Sequence, residues 1–468
     1  EGALAHLFGD FSVAIWDRQA RSLHCFRDQM GMKSLFFAER AGLLLFSNAL
    51  DCIAGHPAIS SDLDESFLVD FLVFGYPSDP SVTVYQQVRR LPPAHCLANL
   101  EGKTRINRYW SLPTGLGEPP NPDVDCPEHF ARALADCVSD RLPSEEVTVL
   151  MSGGLDSTSI AAQARLLGGE DYRLYLHTLD ARMLWSGDRE AEFATATANF
   201  LGAGHRIHEI TEQDLLGAPG VNEWRQPEPI RYSFWPAFRA VLAQMSTQSR
   251  VGLTGQGSDG LFTASPDHFA ALLSTHQWWR FFIDLVSFAR VHRRRPPLGL
   301  KGSLKQRYDR HPERRVLPPW LRPEVIARTG LNDRFETYLA PNSSGSGALR
   351  REAFMDLGSP VWPAIVGRYE SQFTGIPCEL RHPFLDVRLI ELVLSMPPVP
   401  WFTDKALLRH AVRGKLPETV RTRRKAVAGV PPAYTALRQR TQLPCRTYLE
   451  NLDPIASLRS EEHTSALQ

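Results

Sequence analysis

The chain is short of the features that mark redox, membrane or nucleic-acid proteins. Its seven cysteines, at 25, 52, 96, 126, 137, 378 and 445, form no CxxC pair and no regular spacing. That argues against a disulfide framework or a metal site and for the reduced thiols of a cytoplasmic protein. Charge of neither sign prevails: 52 Lys and Arg face 52 Asp and Glu, so no global field draws the chain to nucleic acid or to a membrane surface. No apolar run reaches the roughly 20 residues of a membrane span, and the start at Glu1 is neither basic nor signal-like. Internal repeats and nucleophile elbows are missing as well. A 468-residue chain that is 43% hydrophobic and 22% charged reads as an ordinary globular protein of two or three domains.

One stretch carries the chemistry. Residues 147–162 read VTVLMSGGLDSTSIAA. An apolar β-branched run from Val147 to Met151 stops in the loop Ser152-Gly153-Gly154-Leu155-Asp156-Ser157, and a helical pattern starts at once. Unpaired N–H groups and the helix dipole make such a junction an anion site, and adjacent glycines let the backbone approach the anion closely. The loop has no Gly-Lys-Ser/Thr ending, so a γ-phosphate-transfer loop is a poor reading. It is similar instead to the pyrophosphate loop of enzymes that split ATP between its α- and β-phosphates and adenylate a substrate.

Around this loop the chain divides. Alternation over 11–16 and 22–26 predicts strands joined by a turn at 17–21, with a further strand at 43–47 and a helix over 64–73 that stops before Gly75. Residues 1–110 therefore read as a β-rich layer and the proline-rich 111–127 as a linker. A helix over 128–140 leads into the strand before the loop. Strands at 173–179, 206–210 and 250–254 then alternate with helices over 188–201 and 234–246. That order implies a parallel sheet covered on both faces, with ligand at the carboxyl ends of its strands. Residues 268–468 look mainly helical, broken by Pro296, Pro297, Pro318, Pro319 and the NSSGSG tract at 342–347. The polar, unpatterned tail over 456–468 reads as a disordered, appended segment outside the fold.

The strand at 250–254 runs into Gly255-Gln256-Gly257-Ser258-Asp259-Gly260-Leu261-Phe262. Loops after neighbouring strands of a doubly wound sheet converge, so Asp156 and Asp259 are expected to face the same phosphates and hold Mg²⁺, which takes hard oxygen ligands. Alone, Asp259 would read as a helix cap or turn residue.

Four ordered motifs now resemble the synthetase domain of the asparagine synthetase family: the two loops, Glu379-Leu-Arg-His-Pro-Phe-Leu-Asp386, and the stretch 404–425. GDFSVAIWD (9–17) and RDQMGMKSLFF (27–37) resemble that family's glutaminase domain. The resemblance implies an α/β fold: a truncated N-terminal-nucleophile α/β/β/α layer over 1–110, then an ATP-pyrophosphatase domain over 128–455 with a parallel sheet and a helical C-terminal half. It implies an ATP- and Mg²⁺-dependent ligase that adenylates a carboxylate, releases pyrophosphate and lets an amine attack. Ser152, Gly153, Gly154, Ser157 and Gly257 would hold the nucleotide phosphates, with backbone near Leu150 at the adenine and Asp156 and Asp259 on the metal. Lys425 matches a lysine that stabilises the adenylation and amide-forming transition states, as a preorganised cation would. Lys405 matches a second phosphate-side lysine. Glu379 matches an acidic residue near the acceptor site, suited to accept a proton from an incoming amine; the competing reading is an ion pair with Arg381.

The departures from the pattern matter equally. The family's amidotransferases need a cysteine directly after the initiator methionine. Here none precedes Cys25, which falls mid-strand, where a buried thiol is expected. The expectation is that the front of the glutaminase domain is absent, through fragmentation or degeneration. Gln256 stands where the family's synthetases have Glu, and Gly260 where they often have Glu, which implies altered substrate chemistry. WRQPEP (224–229), HRRRPPLGL (292–300) and PPVPWFTDK (397–405) resemble lasso-peptide cyclases of the same family. That resemblance favours a peptide carboxylate over free aspartate, with a precursor peptide and a leader-binding or protease partner. A non-catalytic descendant would have no reason to keep the loop, Asp259 and Lys425 together. The tRNA-thiolating relatives would need paired cysteines and a basic surface that this chain lacks.

Overall fold

The computed structural model describes residues 4, 6–113, 125–182, 184, 189–211, 214, 226–265, 268–296, 316–339, 350–424 and 458. The N-terminal region runs β1 (Ser12–Asp17), β2 (Ser22–Arg27), β3 (Phe36–Arg40), β4 (Leu43–Ser47), α1 (Leu50–Ala54), α2 (Glu65–Phe74), β5 (Arg89–Arg90), β6 (His95–Leu100) and β7 (Lys103–Arg108). These strands form two antiparallel sheets, ordered β1-β2-β6-β7 and β4-β3-β5.

The two-residue period of β3 sets the layering. Phe37 faces Leu23, Cys25, Leu91 and Leu97 between the sheets. Phe36 and Ala38 point the other way, onto Leu50 and Ile53 of α1 and Phe67 of α2. The Asp64 carboxylate caps α2 by accepting from the Phe67 N–H, and Gly75 ends the helix at φ 87, a left-handed turn that suits glycine.

The second region runs α3 (Cys126–Ser139), β8 (Glu146–Leu150), α4 (Leu155–Gly168), β9 (Arg173–Asp180), α5 (Glu190–Leu201), β10 (Gly204–Glu209), α6 (Trp235–Ser246), β11 (Val251–Thr254), α7 (Ser258–Leu261), α8 (His268–Ser274), α9 (Trp278–His292) and β12 (Glu379–Arg381). Further helices lie at 323–329, 331–339, 351–357, 361–367, 371–374, 387–395, 406–411 and 418–421. The sheet is ordered β10-β9-β8-β11-β12, and every neighbouring pair is parallel.

Strand β8 places Val147 and Val149 in a core with α3, α4, α5 and residues 387–395, while Leu150 packs on the opposite face with α6. Helices therefore cover both faces. Chain order reverses between β8 and β11, so the loops after these two strands diverge from one crevice. In open α/β sheets that switch point is where ligands bind.

The C-terminal half is mainly helical, as expected, and strand β12 is an addition to it. Three residues carry too little periodicity to be read alone, and Glu379–Arg381 is strand because it completes the β11 edge. The linker over 111–127 lies largely outside the described residues, as do the NSSGSG tract and all of the 456–468 tail except Leu458. Among the described residues six cysteines are free thiols, five of them buried.

The two regions share a core and a polar seam. Met30 and Met32 insert beside α3 and β8. The Arg141 guanidinium donates to Asp10 at 2.9 Å and to Asp386 at 2.7 Å. The Ser34 N–H donates to Glu370 at 2.9 Å. Among the described residues no helix is long and apolar enough to cross a membrane.

Candidate active site

The loop after β8 leaves the first-turn N–H groups of α4 without a side-chain cap. Gly154 caps α4 from extended backbone (φ −73, ψ 160) and has no side chain to occupy the first-turn N–H groups, so these remain for a ligand. Ser157 folds back: its Oγ accepts from the Ser152 N–H at 3.0 Å and lies 3.2 Å from Ser152 Oγ. Gly153 sits at φ +70, and a Cβ there would fall 2.1 Å from the Glu190 carbonyl oxygen of α5. Only glycine fits so close to another helix in that conformation. Gly255, after β11, lies against the same turn, since a Cβ on it would be 2.7 Å from the Ser157 nitrogen. The two loops are in van der Waals contact.

Their acidic side chains meet on one lysine. Lys405 Nζ donates to Asp156 Oδ1 at 2.7 Å, to Asp156 Oδ2 at 2.6 Å and to Asp259 Oδ1 at 2.8 Å. Ser258 Oγ donates to Asp156 Oδ1 at 2.7 Å and lies 3.3 Å from the ammonium. Gly257 (φ +91) starts the short α7 that carries Ser258 and Asp259. The carboxylate and hydroxyl oxygens of Asp156, Asp259 and Ser258 are a hard donor set of the kind Mg²⁺ takes. Among the described residues no three His, Cys, Asp or Glu side chains converge to hold a metal, so phosphate and water oxygens would complete its shell.

Gln256 lies beside this cluster in a neutral setting. Its Nε2 donates to the Tyr369 hydroxyl at 3.4 Å, and its backbone N–H to Thr254 Oγ1 at 3.2 Å. His382 Nδ1 is 2.6 Å from the same Thr254 Oγ1. Burial pushes the His382 imidazole down to about 4, with Arg141 and Lys33 adding to the effect against an opposing Asp10. It is therefore uncharged near neutral pH.

The structure does not bring Glu379 to the cluster. Glu379 is level with Val251 at the amino end of the sheet, four residues before Gly255, about 13 Å along the strands. Its Oε1 accepts from Lys33 Nζ at 2.8 Å, and Arg381 Nη2 lies 3.3 Å from Oε2. Burial alone would raise this carboxyl, but Lys33 and Arg381 outweigh it and hold it below its usual range. The ion pair with Arg381 is present, and Lys33 joins the N-terminal layer to it. Lys425 lies outside the described residues. Arg423 donates to the Gly153 carbonyl at 3.2 Å. Leu150 ends β8, half-buried against the α6 cluster.

Sequence reasoning passed over Ser258, Arg423, Tyr369 and Lys33 as site residues. Ser258 sits inside a quoted motif and Arg423 beside Lys425, so both were within reach. Lys33 is 346 positions from its partner, and no local pattern signals such a pairing.

Comparison with known proteins identifies the family. The asparagine synthase family matches residues 129–463, and a glutamine amidotransferase domain matches residues 1–110. "Asparagine synthetase [glutamine-hydrolyzing] 3" of Bacillus subtilis is 25% identical over 453 residues, covering 91% of this chain and 68% of that protein. A putative asparagine synthetase of Mycobacterium tuberculosis is 25% identical over 471 residues, covering 92% and 68%. "Amidase chyE" of Penicillium rubens is 25% identical over 471 residues, covering 88% and 68%. A family match spanning most of the chain, on a sheet whose switch point carries the anion loop, leads to one conclusion: the chain belongs to the asparagine synthase family and is an ATP-dependent carbon–nitrogen ligase.

Proposed function

We propose that the enzyme adenylates a carboxylate on a peptide and closes it onto an amine of the same peptide, as a macrolactam-forming ligase. The observation that carries the adenylation step is the meeting of Asp156, Ser258, Asp259 and Lys405 above the Ser152–Ser157 loop. In this reading the loop and Gly257 hold the β- and γ-phosphates, backbone near Leu150 meets the adenine, and Asp156 and Asp259 hold Mg²⁺, which would neutralise phosphate charge. A substrate carboxylate oxygen attacks the α-phosphorus, the bond to the β-phosphate oxygen breaks, and pyrophosphate leaves. The amine then attacks the acyl carbon, AMP departs and the amine gives up its proton. Lys405 and Lys425 offset the charge that develops on phosphate and oxyanion.

Gln256 supports the peptide. A free amino acid brings an ammonium that an acidic side chain at 256 would pair with. The amide of Gln256, with Tyr369 and the uncharged His382 around it, suits a carboxylate without such a charge. Holding both ends of one peptide in place would then supply the effective concentration for ring closure. The names of the relatives favour a second reading, conversion of aspartate to asparagine. Pyrophosphate release is to be measured with free aspartate plus ammonia and with a precursor peptide encoded beside the gene. The proposal expects release with the peptide and loss of one water from its mass; efficient asparagine formation would replace it by the second reading.

A further inference from the structure

We infer that Lys405 is a resident cation that reserves the divalent-ion position until a polyphosphate arrives, so that metal and nucleotide enter together. The inference rests on the reading of Asp156 and Asp259 as the metal's ligands. Its ground is geometric. The ammonium lies 2.6 to 2.8 Å from three carboxylate oxygens of these two residues, the same oxygens that would hold the ion. Mg²⁺ needs its oxygens at about 2.0–2.1 Å and cannot share them with an ammonium at that point.

Charge balance sets the order of entry. Two carboxylates and one ammonium leave the cluster singly negative. A divalent ion arriving alone must strip Lys405 from its partners and leave it without an anion in a largely enclosed position, since its side chain is only 16% exposed. A triphosphate arriving with the metal gives the displaced ammonium new anionic oxygens and completes the metal's shell, to which the described protein residues bring only two carboxylates.

Asp404 (φ 52, ψ 27) and Lys405 (φ 54, ψ 40) are consecutive non-glycine residues in the left-handed region, a conformation costly for side-chain-bearing residues. Arg294 Nη2 clamps Asp404 Oδ2 at 2.6 Å, and Arg409 Nε donates to the Asp404 carbonyl at 2.7 Å. Both contacts are made to Asp404, next to Lys405 in the turn. Lys405 then acts as an ordering residue as well as a phosphate-side charge.

The test is Mn²⁺ retained by the full chain in equilibrium dialysis, with and without α,β-methylene-ATP on both sides of the membrane, so that metal carried by free nucleotide cancels. Wild type and Lys405→Arg should bind Mn²⁺ weakly alone and tightly with the nucleotide. Lys405→Met should bind at least about tenfold tighter than wild type without nucleotide, because one competing charge has left a partly enclosed site. Adding Asp156→Asn and Asp259→Asn to Lys405→Met should abolish that binding, and circular dichroism should show each variant folded. Lys405→Met binding no tighter than wild type, while wild type still binds with nucleotide, would overturn the inference and leave the metal reading standing. Absence of Mn²⁺ binding in every variant even with nucleotide would overturn both.

Discussion

Substituting Gly153 by alanine tests whether the anion loop is held by α5. Two terms oppose the change. Placing a side-chain-bearing residue at φ +70 costs about 1 kcal/mol, the usual left-handed penalty. The new Cβ would also lie 2.1 Å from the Glu190 carbonyl oxygen and 2.9 Å from the Ala194 nitrogen. Both are backbone atoms of one helix, so relief requires moving the loop or α5 by close to an ångström. Overpacking of that kind costs about 1–3 kcal/mol, which brings the total to about 2–4 kcal/mol. Gly42→Ala is the control: its φ is +78, but a Cβ there meets nothing within 4 Å, so it isolates the conformational term. Urea unfolding of the two variants gives the steric term by difference. A loop displaced by an ångström should also slow pyrophosphate release at least about a hundredfold, whereas Gly42→Ala should not. Equal destabilisation of the two variants, with normal turnover in Gly153→Ala, would refute the reasoning.

Other expectations rest on the same contacts. Arg141→Leu removes the guanidinium partner of Asp10 and one of the two of Asp386, which keeps Arg388, and should destabilise the fold by about 1–3 kcal/mol, read as a shift in urea midpoint. The Asp386 carboxyl is lowered to about 2, burial being outweighed by Arg388 and Arg141; a carboxyl depressed on folding contributes stability above its unfolded value and loses it as pH falls, so about 2 kcal/mol should disappear between roughly pH 4 and pH 2, and a flat acid limb would contradict the assignment. Gly260→Ala puts a Cβ 1.8 Å from Asp356 Oδ2 and should destabilise the protein, with Asp356→Ala in the same chain restoring most of the loss; failure of that rescue would show that the contact is not the cause. Burial pushes the Cys25 thiol up to about 11, so iodoacetamide at pH 8 should label the exposed Cys52 and spare Cys25 in the native protein, as mass spectrometry of the peptides would report.

Much of the fold was legible because its signals are local. The helices expected over 128–140 and 234–246 appear as Cys126–Ser139 and Trp235–Ser246, and the strand at 250–254 as Val251–Thr254. Each is bounded by a residue whose chemistry stops or starts the element, such as Asp125 capping α3. That the loops after β8 and β11 would meet was legible for the same reason: each is short, and parallel topology alone makes them neighbours. Apart from Ser258 and Arg423, what escaped notice depends on long-range pairing. Strand β12 exists only because β11 offers an edge. The placement of Glu379 comes from the register of that strand and from Lys33, neither of which leaves a mark in the residues around 379. The same holds for Lys405, whose carboxylate partners lie 146 and 249 positions away.

The most direct test of the account tracks the oxygen of the substrate. A carboxylate substrate carrying heavy oxygen is incubated with ATP, Mg²⁺ and the enzyme, and the nucleotide products are analysed by mass spectrometry. Attack of the carboxylate on the α-phosphorus at the Asp156–Asp259–Lys405 cluster predicts AMP bearing one heavy oxygen and unlabelled pyrophosphate, with both products lost in Asp156→Asn. Formation of ADP and labelled inorganic phosphate would contradict it.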